Sequence, residues 1–411
     1  MRIFPKIHPR ISKLIKYLNL EIIDIPYKTP YNLFCGRNKL FYNNKLFPNT
    51  NICYNINDYE KNIDTFDYIN IIIEYILQKY NIKNIESVVD YNERKKMYSN
   101  EYLCKLGFKQ ELLNINNKYY LSNENYNRFK DISGYSNMLN NISFLASFYE
   151  ASSINNHPTQ YFIKKGMNQI IKKLIKNHEI LFNTEFTKFI DKNNIIECYL
   201  KNIITNTNTK IFCKKLFITV PSNNVHNIIG FNPSFYKLYS KSLSEISLFK
   251  IFFYYDQNWW IQHGFKNGRC TTDLPFNQLW FYDNNTLLLY SVGDDAKSWL
   301  SILPYEKQIS FIDIKNNNLT NITTQLLNFI KIMFKNFTNY IPLPNKICWN
   351  FYRDGKNMWN PNNNNILNIQ KNLIYNSKNI YYLNNDISLN QGWVEGSLEI
   401  VDDFLLTSTL L

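Results

Sequence analysis

Apolar and polar positions alternate along this chain with two different periods. Leu14, Ile15, Leu18 and Leu20 recur at helical spacing behind Ser12, which predicts a first helix capped by Ser12. Short Asn- and Tyr-rich runs across 31–55 read as strands and turns of a sheet. From Asp64 to about Tyr149 the period is helical again, through Ile69, Ile72, Ile73, Tyr75 and Ile76, then Met138, Leu139, Ile142 and Leu145. Residues 161–233 read as a helix, two strands and a return strand that turn at Asn-rich points, the pattern of a small antiparallel layer. Three strands are expected in 245–300, broken at Asn258–Asn267 and Asp283–Thr286. A helix follows over Leu319–Asn336, and 376–411 closes the chain with a strand and a helix. The Asn tracts 316–318 and 362–365 read as surface loops, and no internal repeat is present. The mixture defines an α/β protein.

Composition narrows the picture. With 411 residues, 45% of them hydrophobic, the chain can bury a large core and should form two domains or interleaved lobes. The net charge of +13 raises nucleic acid as a partner. Asn, Ile, Lys and Tyr dominate throughout, however, as AT-rich coding produces, and no basic stripe interleaved with aromatics stands out, so no nucleic acid is expected. The seven cysteines are odd in number and never in CxxC spacing, which fits free thiols in a reducing compartment. The five histidines form no metal-like pair, so no metal site is expected. No leader peptide and no apolar run near 18 residues occur, so the expectation is a soluble, cytoplasmic protein with no membrane partner.

Two places carry candidate chemistry. The run Gly392, Trp393, Val394, Glu395, Gly396, Ser397 follows the hydrophobic Ile380–Leu383 by a short polar gap and reads as strand, turn, helix. Such a junction aims free N–H groups and a positive dipole end at whatever lies beside the strand, and an electron-rich ring that gains charge on reduction would suit it. An ordinary buried helix start has the same signature. Lys250 interrupts the apolar strand SLFKIFFYY, so it either points to solvent or is buried beside a polar partner, where desolvation would lower its pKa.

The run GWVEGSLE resembles the C-terminal flavin-binding segment of the flavin amine oxidase family. Upstream, YFIKKGMNQIIKKLIK (161–176), LFNTEFTKF (181–189), LFITVPSNN (216–224), FNP (231–233), SLFKIFFYYDQNWW (247–260), TTDLP (271–275) and LLLYSVGDDAKSW (287–299) follow in that family's order and spacing. The opening MRIFPKIHPRISKLIKYLNLEI resembles its GAMR-LP stretch, and TTDLP with YSVGDDA is most similar to the L-amino-acid oxidase and tryptophan monooxygenase branch. The resemblance spans essentially the whole chain. It implies an FAD-dependent amine oxidase-like two-lobed α/β fold, with an FAD lobe from 1–30, 161–233 and 370–411 and a substrate lobe from 31–160 and 234–369.

The same resemblance implies roles. Lys250 would hold a water against flavin N5, Arg2 would clamp a substrate carboxylate with its planar fork, and Tyr290 would join that contact. Trp393 would wall the substrate cage, with Trp349 and Trp359 flanking a further pocket loop at Asp354 and Gly355. Gly392, Trp393 and Val394 would offer N–H groups to the flavin O2 side, and the Phe186 backbone would meet adenine. Asn384 and Asn385 replace the family's Gly and acid at the ribityl–diphosphate contact, with Asp386 one residue away. The implied reaction is hydride transfer to FAD from a small-molecule amine, foremost the α-amino carbon of an L-amino acid, with molecular oxygen restoring the flavin and either oxidase or monooxygenase chemistry following. The family's N-terminal GxGxxG unit has no counterpart among the 11 glycines, and Met1 falls on the GAMR methionine. That unit is therefore expected upstream of an internal Met, lost, or supplied as a separate N-terminal FAD-binding segment. The alternative reading is a degenerate, non-catalytic relative kept as a binding or structural protein.

Overall fold

The structure is a computed structural model, and it describes residues 3–26, 32–37, 39–42, 53–62, 65–82, 90–118, 121–135, 142–147, 149, 159–265, 268–282, 285–301, 309–313, 321–334, 341–361, 363 and 365–407. Arg2, Met138, Leu139 and the Asn316–Asn318 tract lie outside the described residues.

The first helix is Pro9–Tyr17, so the expected Ser12 cap is wrong. His8 occupies the N-cap and Pro9 the first helical position, where a missing N–H costs nothing because that group has no partner within the helix. Ser12 lies inside, its hydroxyl donating to the His8 carbonyl at 2.7 Å. Ile11 and Ile15 bury one face against Ile3, Tyr161, Ile163 and Ile170. Tyr161 belongs to the strand Thr159–Ile163, which pairs antiparallel with Ile22–Pro26 and bridges to Ile3.

The helical stretch resolves into Thr65–Lys79, Tyr91–Ser99, Phe108–Lys118 and Asn123–Ser133, among shorter turns. Asp90 caps the second by accepting the N–H groups of Asn92 and Glu93, and Ser122 caps the last.

An eight-stranded sheet runs in the order Ile309–Asp313, Lys346–Trp359, Leu243–Tyr254, Thr286–Val292, Gln278–Tyr282, Arg269–Thr272, Leu33–Gly36, Lys39–Tyr42. The expected middle strand of 245–300 divides into two, Arg269–Thr272 and Gln278–Tyr282, which pair with each other while the first also pairs parallel with the distant Leu33–Gly36. Alternation sorts the two faces. Phe249, Ile251, Phe253, Leu287, Leu289, Trp349 and Phe351 share one core, whereas Ile246, Leu248, Tyr290 and Val292 pack toward the other. Asp354 and Gly355 are part of the long strand Lys346–Trp359, at a bulge between Tyr352 and Lys356, rather than in a separate pocket loop.

The antiparallel layer is as expected, with strands Thr184–Asp191, Ile196–Asn202 and Asn208–Cys213. A further three-stranded sheet pairs Leu216–Ile218 parallel with Ile380–Tyr382, and Tyr375–Ser377 borders the latter. Asn363 and Asn365 are not loose: Asn363 is buried and donates to the Ser242 carbonyl, and Asn365 caps Ile366–Ile374.

Candidate functional site

A row of aligned residues crosses the sheet. Asn350 is the register partner of Lys250, Lys250 of Tyr290, Tyr290 of Gln278, and Gln278 of Thr271. Directly opposed residues point to the same face, so strand pairing alone places Lys250 beside Tyr290 and away from the Phe249 core. The Lys250 ammonium lies 5.6 Å from the Tyr290 ring centre and 5.8 Å from that of Tyr352, within cation–π range. Lys250 and Tyr290 are half-buried, and Tyr352 is exposed. Gln278 is locked, donating to the Gly134 carbonyl and accepting from Trp280 Nε1, both at 3.0 Å.

The second part is the turn into the helix Val394–Thr407. Gly392 has φ +81°, a left-handed conformation that disfavours any Cβ, and the methylene stem of Lys356 lies where that Cβ would be. Lys356 opposes Ile246 just past the bulge, which puts it on the same sheet face as Lys250. The strand Lys346–Trp359 therefore touches both parts of the site. Trp359, fully buried, holds the approach to the turn: its N–H donates to Gln391 Oε1 at 2.8 Å and its Nε1 to the Ser388 carbonyl at 2.9 Å. Trp349 points into the other core and has no part in the site.

Trp393 stands half-buried with its ring 5.8 Å from Phe4, edge-on, and 4.7 Å from His8. His8 is buried, and its Nδ1 accepts the Phe4 N–H at 3.2 Å, which leaves the ring proton on Nε2. Burial lowers its pKa to about 3, so the ring is neutral at ordinary pH.

Asn384, Asn385 and Asp386, expected at a ribityl–diphosphate contact, are engaged by the protein itself. Asn384 spends both ends of its amide locally, donating to the Thr219 carbonyl and accepting the Asp386 N–H. Asp386 is buried and accepts the Tyr239 hydroxyl at 3.1 Å, so it faces the core. Asn385 is half-buried, and its carbonyl accepts from the Ser388 N–H and hydroxyl. Phe186 sits half-buried at a bulge of its strand, stacked on Phe189 with centroids 6.3 Å apart.

Sequence reasoning missed an ionic cluster behind the turn. Glu395, Glu399 and Asp402 lie on one face of the last helix and meet Arg10. Arg94 reaches Glu399 at 2.9 Å and Lys95 reaches Asp403 at 2.6 Å. Burial pushes the pKa of both Glu395 and Glu399 up, against the pull of Arg10 and Arg94. The signal was legible as acids at i, i+4 and i+7 of an apolar helix.

The turn fits a flavin ring. It offers a helix start with a left-handed glycine, and the side-chain Nδ2 of Asn390, two residues earlier and buried, has no hydrogen-bond partner among the described residues. Among the described residues no helix is long and apolar enough to cross a membrane, and no group of three His, Cys, Asp or Glu side chains could hold a metal.

Solved structures of putrescine oxidase share this architecture. The wild type bound to putrescine aligns with a TM-score of 0.64 at 12% identity, covering 98% of this chain and 86% of that one. A double mutant from a redesign of its cofactor binding aligns at 0.63 and 11%, covering 97% and 85%. The fold is thus the mixed α/β fold of the FAD-dependent amine oxidases. An uncharacterized protein of Acanthamoeba polyphaga mimivirus is 23% identical over 433 residues, covering 99% of this chain and 82% of that one. The profile of the flavin-containing amine oxidoreductases matches residues 1–313, and the chain belongs to that family, which implies FAD as its cofactor.

Proposed function

We propose that this protein oxidises the α-amino group of an L-amino acid with FAD held at the Gly392–Val394 turn. One observation carries the reading: Lys250 and Tyr290 are aligned on one sheet face, and Lys356 of the same face lies across Gly392. When bound, FAD supplies the hydride acceptor. Around it, the N–H groups of Gly392, Trp393 and Val394 would face the ring, the Phe186 backbone the adenine, and Asn385 the ribityl side. Lys250 would hold a water at the reacting edge, and the Tyr290 hydroxyl would share the substrate carboxylate with Arg2. Trp393, braced by Phe4 and His8, would exclude water from the amine. Molecular oxygen is the proposed electron acceptor, and the keto acid the proposed product.

The proposed lobes are 1–30, 161–233 and 370–411 for FAD, and 31–160 with 234–369 for substrate. The phosphate-binding unit is proposed to come from a further N-terminal segment. Among the described residues, Leu216–Ile218 is paired on one edge only, and Phe217 is 44% exposed. A second reading, a non-catalytic relative, is favoured by the inward turn of Asp386, which directs its carboxylate to the Tyr239 hydroxyl and away from the proposed ribityl contact.

An absorbance spectrum of the purified protein tests the proposal. Flavin bands that bleach anaerobically with L-amino acids and recover in air support it. Bands that bleach only with simple amines overturn the amino-acid assignment. Bands indifferent to both support the second reading.

A further inference from the structure

Two helix starts meet at this site. The first helix begins at Pro9, and the last begins at Val394. Each leaves N–H groups without partners inside its own helix. Glu395, in the first turn of the last helix, does not bond its own helix. Its carboxylate crosses to the other one, where Oε2 accepts the Ile11 N–H at 2.9 Å and Oε1 the Arg10 N–H at 3.1 Å. Arg10 Nη1 stands 3.4 Å from the same Oε1, and the Glu395 side chain is 1% exposed.

The neighbouring residues tighten the join. Trp393, two residues before Glu395, packs on Phe4 and His8 of the segment that leads into the first helix. Gly396, the residue after it, has no room for a Cβ, which would strike the Asn390 carbonyl and the Ser388 hydroxyl. The turn is thus pressed from behind by its own loop and pulled from the side by the first helix. The electrostatics agree. A carboxylate in the first turn would oppose an electron-rich ring at that helix start, but this one is engaged by Arg10 and by the positive end of the first helix.

We infer that Glu395 is a positioning residue that locks the Gly392–Val394 turn to the N-terminal segment Ile3–Tyr17, and so sets the proposed cofactor wall and the start of the first helix in one geometry. Glu399, one helical turn further, provides the internal comparison: it is equally buried and pairs with Arg94 and, at 3.8 Å, with Arg10, but accepts no backbone N–H of the first helix.

Hydrogen exchange on the protein without added cofactor tests the lock, alongside Glu395→Gln and Glu399→Gln. A lock predicts that Glu395→Gln speeds exchange about tenfold both at residues 9–12 and at the remote turn 391–396. Glu399→Gln should leave residues 9–12 at the wild-type rate, and Glu395→Asp, which keeps the charge, should recover part of the protection. If Glu395→Gln changes residues 9–12 alone, the residue is only a cap and the inference fails. If both variants loosen both regions alike, the effect is general destabilisation, and it fails again. Should Glu395→Gln not fold, Arg10→Gln takes its place: losing the guanidinium should loosen both regions in part, and an unchanged turn would overturn the lock. The functional consequence rests on the FAD reading: FAD should bind about tenfold more weakly to Glu395→Gln at a temperature where the variant remains folded. Wild-type protein that binds no FAD would count against that reading, while the exchange result would still decide the lock.

Discussion

Lys250 owes its position to strand pairing. Its neighbours Tyr290 and Asn350 are its register partners, so the local alternation of one long strand, Leu243–Tyr254, decides which face it occupies. Gly392 is placed by groups far away in the chain: the Lys356 stem above it, Trp359 holding Ser388 and Gln391, and the Glu395 bonds to Arg10 and Ile11. A sheet residue can be lost with little effect on its surroundings, because the backbone ladder keeps its shape. A turn held by side chains has no such ladder, so its geometry depends on each of them.

The comparison can be broken first at Trp359. Trp359→Ala removes a fully buried indole and its hydrogen bond to the Ser388 carbonyl, and should cost about 3–5 kcal/mol in urea denaturation. If stability holds within about 1 kcal/mol, the turn does not depend on remote support. Lys250→Met tests the other side. Turnover of the proposed amino-acid substrate should fall about 100-fold while the melting temperature stays near wild type, and a large loss of stability would show that the sheet row is structural.

Acidification sharpens the comparison at His8, which braces Trp393. Its folded pKa, about 3, lies below the ordinary 6.5, so between those values the unfolded chain binds a proton that the folded one refuses. Stability from this group is therefore complete above pH 6.5 and is lost as pH falls toward 3, by up to about 1.4 kcal/mol per pH unit. The difference between wild type and His8→Asn across that window isolates it, and parallel pH profiles would refute a buried neutral ring. The smallest effect is expected at the exposed pair Lys96 and Glu93. Lys96→Ala should leave the melting temperature and the FAD affinity unchanged, because water screens such pairs.

Much of this molecule was readable beforehand. The helical period of 64–149, the small antiparallel layer, the closing strand and helix, and the Lys250 strand all follow from residue spacing that one element by itself satisfies. The first helix was found but its start was misplaced, since Pro9 and His8 outweighed the Ser12 signal. The expected single strand between 268 and 282 is in fact two, Arg269–Thr272 and Gln278–Tyr282, because the first also pairs with Leu33–Gly36, more than two hundred residues upstream. Asp386 lies one residue from the Asn pair, and only the fold shows that its carboxylate turns inward to the Tyr239 hydroxyl.

The sequence by itself determined the period of each element, the ordered motifs of a flavin-containing amine oxidoreductase, and the residue types at the proposed site. Only the tertiary structure decided that Lys356 would lie across Gly392, that Glu395 would cap a helix 385 residues away, and that Trp349 and Trp359 would take opposite fates on one strand. The physical reason is range. Side-chain alternation and helical periodicity are set by neighbours within a few residues, whereas a cap, a buried ion pair or a brace across a turn exists only once distant segments are packed together.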